Sequence, residues 1–277
     1  MNRYLVFQLR GDLASWGDVA VGEQRPSLWF PTKSAIIGLI AAALGIERKD
    51  EETQMAFAQA IQYAVAVDRP EQKVVGYNNE FFKGETYSGG YMQDYHTIQS
   101  ASEPDLRQFQ KTFGRSVKSR KDQVTALKMT GSEGTVLSYR AYRLDAAYIV
   151  AVCLKDELVW SLADLESALK EPKFHLYLGR KSCPVNLPLN PRIVPAETFR
   201  DAIQCPPPEG RPDEVQLRFP TMVAESGVSH NGLRSPSKEE YRISPRSRSR
   251  WQFDPVVVEI KQLQEEPYAD FSSNISS

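Results

Sequence analysis

Within its first 46 residues the chain changes its hydrophobic period, and that change restricts the folds open to it more than any other feature. Residues 3–10 alternate, with Leu5, Phe7 and Leu9 set against Tyr4, Val6 and Gln8, the two-residue repeat of a strand. In FPTKSAIIGLIAAALGI, Ile36, Leu39, Ile40, Ala43 and Leu44 then share one helical stripe, with Thr32 or Ser34 placed to cap it. Gly38 and Ala42 keep another face small, which predicts close packing of this helix against a sheet. A short helix near 51–61 and a buried strand in QYAVAVDRP follow. TVLSYRAYRL and DAAYIVAVCLKD read as apolar strands split at Asp145, either a hairpin or one bent strand. Ser161, with Asp164 three residues on, opens a helix whose Leu162, Leu165 and Leu169 face a core.

Strand, helix, strand, insertion, strand, helix is most of a ferredoxin-like β-α-β-β-α-β unit. The expected class is therefore α+β, with a main domain over 1–195 and a small antiparallel β-rich lobe over 196–264. That lobe is expected from EVQLRF and VVVEIKQL, beyond a proline-dense stretch. Residues 265–277 read as a loose tail. Glycines punctuate 76–134 without a sustained period, which marks a long inserted arm.

Composition excludes several classes. With 277 residues, 41% hydrophobic and 25% charged, the chain reads as soluble and globular. Its net charge of −1 excludes coating of nucleic acid by bulk charge, so any polyanion site must be a local concentration of cations. The apolar run from Ala35 to Ile46 falls short of the ~20 residues that span a bilayer. Arg10 and Asp12 come too early for a secretory signal, so a cytoplasmic protein without membrane contact is expected. Cys153, Cys183 and Cys205 form no CxxC pair, and no H-x-x-x-H or carboxylate cluster appears. No disulfide framework, metal site or cofactor is expected.

Three acid-free segments do concentrate positive charge. The first holds Arg107, Lys111, Arg115, Lys118, Arg120 and Lys121; the second holds Lys173, Arg180, Lys181 and Arg192; the third holds Arg242, Arg246, Arg248 and Arg250. Each alone fits a solvated face. Together, with Phe109, Phe113, Tyr177 and Trp251 available to stack on unpaired bases, they point to a polyanion. Phe30-Pro-Thr-Lys-Ser34 is not a P-loop, because Ser27 and Thr32 stand where glycines are required. A helix start with Lys33 beside it remains a fair site for one phosphate. For metal-free RNA cleavage, His96 beside Tyr95, or His175 near Lys181, offers a partial acid–base set, against the commoner fate of a hydrogen-bonded histidine. Cys183, followed by Pro184 and without a sequence-adjacent base, reads as packed rather than nucleophilic.

Taken in order, Trp16-Gly17, Arg25-Pro26, Phe30-Pro-Thr-Lys-Ser34 with its GLIAAALGI helix, Asp94-Tyr-His-Thr97 and Tyr177-Leu-Gly-Arg-Lys-Ser-Cys-Pro184 resemble one family. It is the CasD-like, fifth-family Cas subunits of type I-E CRISPR surveillance complexes (Cascade). The resemblance covers roughly residues 1–195 and, through Pro245-Arg246 and the strand after Trp251, the end of the chain. It implies an RRM-like RAMP fold and a non-catalytic subunit that holds the 5′ handle of the guide RNA (crRNA). Further implied partners are a CasC-like backbone filament, capped at one end, and a CasA-like large subunit. Target DNA is reached only through the complex, by pairing with the guide. The implied RNA-binding residues are Arg25, Lys33, Ser34, Tyr95, His96, Tyr139, Arg140, Gly179, Arg180, Lys181 and Ser182. The arm, with its six cations at 107–121, would reach a neighbouring subunit or the RNA. On this reading Gly179 lets RNA approach the backbone, Arg180 forks onto a phosphate and Lys181 adds a point charge. The alternative is a metal-independent endoribonuclease that processes CRISPR repeat RNA, as the fifth-family subunit does in the related type I-C system. A third reading is a pure protein adaptor.

Overall fold

The computed structural model of the chain describes residues 1–47, 49–68, 90–127, 129, 133–155, 159–207, 215, 217, 220–228, 232–234, 236–247 and 252–263. Strands β1 (Asn2–Ala14), β2 (Trp16–Gly17), β3 (Gln24–Arg25) and β4 (Ser27–Leu28) precede helices α1 (Lys33–Leu44) and α2 (Glu51–Ala60). Strands β5 (Ile61–Asp68) and β6 (Tyr91–Ala101), helices α3 (Glu103–Phe113) and α4 (Arg120–Ala126), and the long strand β7 (Glu133–Leu154) come next. Helix α5 (Leu162–Lys170), β8 (Arg192–Ala196), α6 (Phe199–Gln204), β9 (Pro220–Glu225), β10 (Ser237–Ser247) and β11 (Gln252–Gln262) complete the described chain.

The chain divides into two units. One comprises 1–18, 27–92 and 142–277; its sheet runs β10-β11-β9-β5-β7-β1-β8, antiparallel throughout. Each helical connection skips one strand: α1 and α2 carry the chain from β1 to β5, and α5 carries it from β7 to β8. Alternation in β1 sorts its side chains as expected. Leu5, Phe7 and Leu9 bury with Ile36, Ile40, Phe57 and Leu165 on the face covered by α1, α2 and α5. Tyr4 and Val6 bury on the other face with Phe199, Ala202 and Met222. Gln8, on that second face, is buried but satisfied: its Nε2 donates to the Pro188 carbonyl at 2.8 Å and its Oε1 accepts from the Val215 N–H at 2.8 Å.

Local signals explain the helix limits. The Thr32 hydroxyl accepts from the Ala35 N–H, and α1 stops at Gly45, whose φ of 81° is left-handed. Ser161 and Asp164 form the expected reciprocal capping box on α5. Asp145, at φ 49°, bends β7 where the sequence suggested a hairpin or a bend; the strand is continuous.

One expectation is corrected. The small C-terminal lobe over 196–264 does not stand apart, because β9 pairs along β5 (Val65 opposite Val223) and β11 pairs along β9. Among the described residues these strands extend the main sheet. EVQLRF lies mostly outside the described residues, and the strand forms just after it, as β9.

The second unit comprises 19–26 and 93–141. Here β3 runs parallel to the start of β7, and β6 pairs with β7 as well. Capping boxes at Ser102–Asp105 and Ser119–Asp122 start α3 and α4. This unit overlaps the expected arm, but it begins at residue 93 and recruits 19–26. Of the expected arm, residues 76–89 lie outside the described residues, as does the tail at 265–277.

Candidate nucleic-acid interface

The turn from Tyr177 to Pro184 closes on itself: the Leu178 N–H donates to the Cys183 carbonyl at 2.8 Å, and the Cys183 N–H donates to the Arg180 carbonyl at 2.9 Å. It is fixed to the end of β1, where the Ser15 N–H donates to the Leu178 carbonyl at 3.0 Å. Gly179 has a φ of 85°, and a Cβ there would stand 2.0 Å from the Ser15 carbonyl oxygen. The glycine is therefore demanded by contact with β1 and by its own backbone angle, and not by an approaching ligand as the sequence suggested. Cys183 is fully buried and burial pushes its thiol pKa up, which disfavours the thiolate that a nucleophile needs. Burial likewise pushes Cys153 up to about 12. Iodoacetamide is accordingly expected to alkylate half-buried Cys205 first and to spare Cys153 and Cys183 until the protein unfolds, as peptide mass spectrometry would report.

The same turn forms one wall of a groove of about 1050 Å³, whose lining includes His175, Tyr177, Gly179, Arg180 and Lys181. Its floor is the small face of α1: Ser34, Ala35, Gly38 and Ala42, below Thr32. Helix α1 packs on the sheet as expected, but chiefly through Ile36 and Ile40 rather than through the small face that holds Gly38 and Ala42. They are half-buried, and they let a ligand lie close to the helix. The Lys173 and Phe174 N–H groups donate to the Ala43 and Ala42 carbonyls at 3.0 and 3.2 Å, so the wall is stitched to the end of α1. The guanidinium of Arg180 lies 4.8 Å from the ring centre of Tyr142. Tyr142 is a residue that sequence reasoning missed, since nothing near position 180 signals a partner on β7. Lys181 is exposed, and Ser182 is exposed beyond the groove wall. Asp18 and Glu47 also reach the rim, where Lys49 lies 2.7 Å from Glu47.

Lys33 is not the free cation that its place at a helix start suggested. Its side chain turns into the protein, and its Nζ lies 2.7 Å from Glu225 Oε1 with both side chains almost fully buried. The charge is spent on β9, which leaves the groove with Arg180, Lys181 and His175.

In the second unit the expected residues gather, but on two faces. Tyr95 and Tyr139 approach with ring centres 5.3 Å apart, and Gln93 Nε2 donates to Gln24 Oε1 beside them at 3.0 Å. Successive strand residues point opposite ways. Arg140, in register with Arg25, therefore faces away from Tyr139. His96 likewise faces away from Tyr95 and sits 2.5 Å from Asp94 Oδ2, two residues back on the same strand. Within each of the pairs Tyr139-Arg140 and Tyr95-His96 the two side chains thus leave the strand on opposite sides.

The basic run at 107–121 is compensated in part. Arg107 pairs with Glu103, and Arg115 grips Asp122 through two bonds of 2.8 and 2.9 Å. The Arg115 guanidinium, followed by backbone and Ser119 hydrogen bonds, holds the Asp122 carboxyl well below the usual range. Phe109 is fully buried against Phe113 and is unavailable for stacking; Phe113 is half exposed. Lys111, Lys118 and Lys121 remain exposed. The side chains of Arg120, Arg242 and Arg246, and all of Arg248, Arg250, Trp251 and His230, lie outside the described residues. Among the described residues no cluster of His, Cys, Asp or Glu could hold a metal ion, and no helix is long and apolar enough to cross a membrane.

Comparison with known proteins bears on the family of the chain. The family described as CRISPR-associated protein (Cas_Cas5) matches residues 4–256. The chain is 31% identical over 189 residues to the CRISPR system Cascade subunit CasD of Escherichia coli (strain K12), covering 68% of this chain and 70% of that protein. Among solved structures it is similar to a chain of a CRISPR RNA-guided surveillance complex. There the TM-score is 0.55 at 20% identity, over 94% of this chain and 89% of the other, a likeness of fold. It is also similar to a Cas protein crystal structure, with a TM-score of 0.49 at 23% identity over 95% and 96% of the two chains.

Proposed function

Since the chain belongs to the Cas5 family of CRISPR-associated proteins, we propose that it is a non-catalytic, RNA-binding subunit of a type I-E Cascade-like complex. On this reading it works in the cytoplasm and holds the 5′ handle of the guide RNA. It caps a CasC-like backbone filament, touches a CasA-like large subunit, and meets target DNA only through the guide. The strand order β5-β7-β1-β8, with a helical crossover on each side, is read as an RRM-like core.

One observation carries the proposal: the turn at 177–184 and the small face of α1 line one preformed groove, with Arg180 laid on Tyr142. A preordered cation on an aromatic ring loses little freedom on gripping a phosphate, and Lys181 adds a second charge beside it. The small floor suits a kinked single strand. Exposed Tyr95, set against half-buried Tyr139 in the second unit, offers a place for an unstacked base.

Arg180→Glu/Lys181→Glu is expected to weaken binding of a handle oligonucleotide by roughly a hundredfold, and to lower the slope of log affinity against log salt by about 1 to 2. Fluorescence anisotropy across a salt series reads both. Unchanged affinity would refute the assignment.

The rival, metal-independent cleavage of repeat RNA, draws on His175, which lines the same groove as Lys181. Incubation with repeat RNA in chelator separates the two readings. No cut product is expected, and cleavage lost on His175→Ala would establish the rival.

A further inference from the structure

A second groove, of about 620 Å³, shares the strip 174–176 as a wall with the first. Its remaining lining comes from the end of α5 and from 184–191, including Leu169, Val185, Leu187 and Leu189, with four prolines and Asn190. Among the described residues no carboxylate lines it. Lys170 is matched by Glu166 at 2.5 Å, which leaves Lys173 as its rim cation, with the His175 imidazole beside it. Phe174, 46% exposed, stands at the mouth.

The walls are held independently of any ligand. The Gln8 N–H donates to the Leu189 carbonyl and the Asn186 N–H to the Arg10 carbonyl, both at 2.8 Å, which ties 184–191 to β1. The strip at 173–174 is tied to α1. A preformed groove of this size binds without first being ordered.

We propose that this groove docks a short segment of another protein subunit, one that presents a large apolar side chain beside a carboxylate. The apolar side chain fills the space between Leu169, Val185 and Leu187, and the carboxylate meets Lys173 and His175. An apolar centre with charges at its rim is the usual build of a protein hot spot. RNA fits this groove poorly: Pro172, Pro184, Pro188 and Pro191 offer no N–H to a phosphate, and a single rim lysine, Lys173, stands against a mostly apolar lining. Lys173, with no carboxylate among the described lining residues, selects an acidic partner over a basic one.

This inference rests on the proposed function in one respect, that the chain works inside a complex. The test places the photoreactive residue p-benzoyl-phenylalanine at Leu187 and, in a second variant, at exposed Pro188. Each is assembled with guide RNA and the other protein subunits, irradiated, and read by peptide mass spectrometry. The expected adduct joins either position to a segment of another protein subunit that carries Asp or Glu. Lys173→Glu is expected to lower its yield by roughly fivefold. An adduct to RNA alone, no adduct from either position in an assembled complex, or a yield unchanged by Lys173→Glu overturns the docking site and leaves the RNA groove standing. Failure of the chain to assemble at all overturns both.

Discussion

Lys33→Met is expected to destabilise the protein by about 3 kcal/mol, while Lys33→Met/Glu225→Met recovers most of that loss. The single change strands a carboxylate that is almost fully buried, and the second removes it. Urea unfolding of the two variants and of Glu225→Met completes a double-mutant cycle. A phosphate-binding lysine at the start of α1 would give the opposite pattern: near-normal stability, lost RNA affinity and no rescue by Glu225→Met. The pair also ties α1, which floors the groove, to β9, an interior strand of the sheet beside β5. Lys33 thus bears on the groove through the position of the helix.

Gly179→Ala is expected to cost about 3 kcal/mol, from a left-handed backbone angle combined with overlap against a neighbouring strand. The added methyl would meet the Ser15 carbonyl at 2.0 Å, and a backbone oxygen has no rotamer by which to move aside. The turn must lift from β1, breaking the bond from the Ser15 N–H to the Leu178 carbonyl and displacing Arg180 from Tyr142. Stability and RNA affinity should therefore fall together, as chemical denaturation and anisotropy on one preparation would show. Arg180→Ala provides the contrast, with affinity lost and stability nearly kept.

What could be read from the sequence was local. The two-residue alternation of β1, the Thr32 and Ser161 caps and the bend at Asp145 each depend on neighbours within a few positions, and each appears where the pattern put it. What could not be read depends on contacts made across the chain. Lys33 finds its partner 192 residues away, so nothing around PTKS revealed that the charge is neutralised. Gly179 answers to Ser15, and Arg180 to Tyr142. The C-terminal strands looked like a lobe because proline density suggested a boundary, whereas pairing of β9 on β5 carries them into the main sheet. The run at 107–121 misled for a different reason. It is acid-free only between its own limits, and the acids that pair with Arg107 and Arg115, Glu103 and Asp122, stand just outside them. A window four residues wider at its start and one wider at its end would have exposed both. Alternation was also legible but unused: on any strand, Tyr139 and Arg140 must face opposite ways.

The groove floored by α1 and walled by residues 174–181 is the part of the protein on which the functional reading stands. Ultraviolet crosslinking of the wild-type protein to guide RNA, followed by mass spectrometry of the nucleotide-bearing peptides, tests it without any substitution. The expected adducts fall on the segment holding Phe174, His175 and Tyr177. Adducts confined to the opposite face of the sheet, around α6 and β9, with none on 174–181, would contradict it.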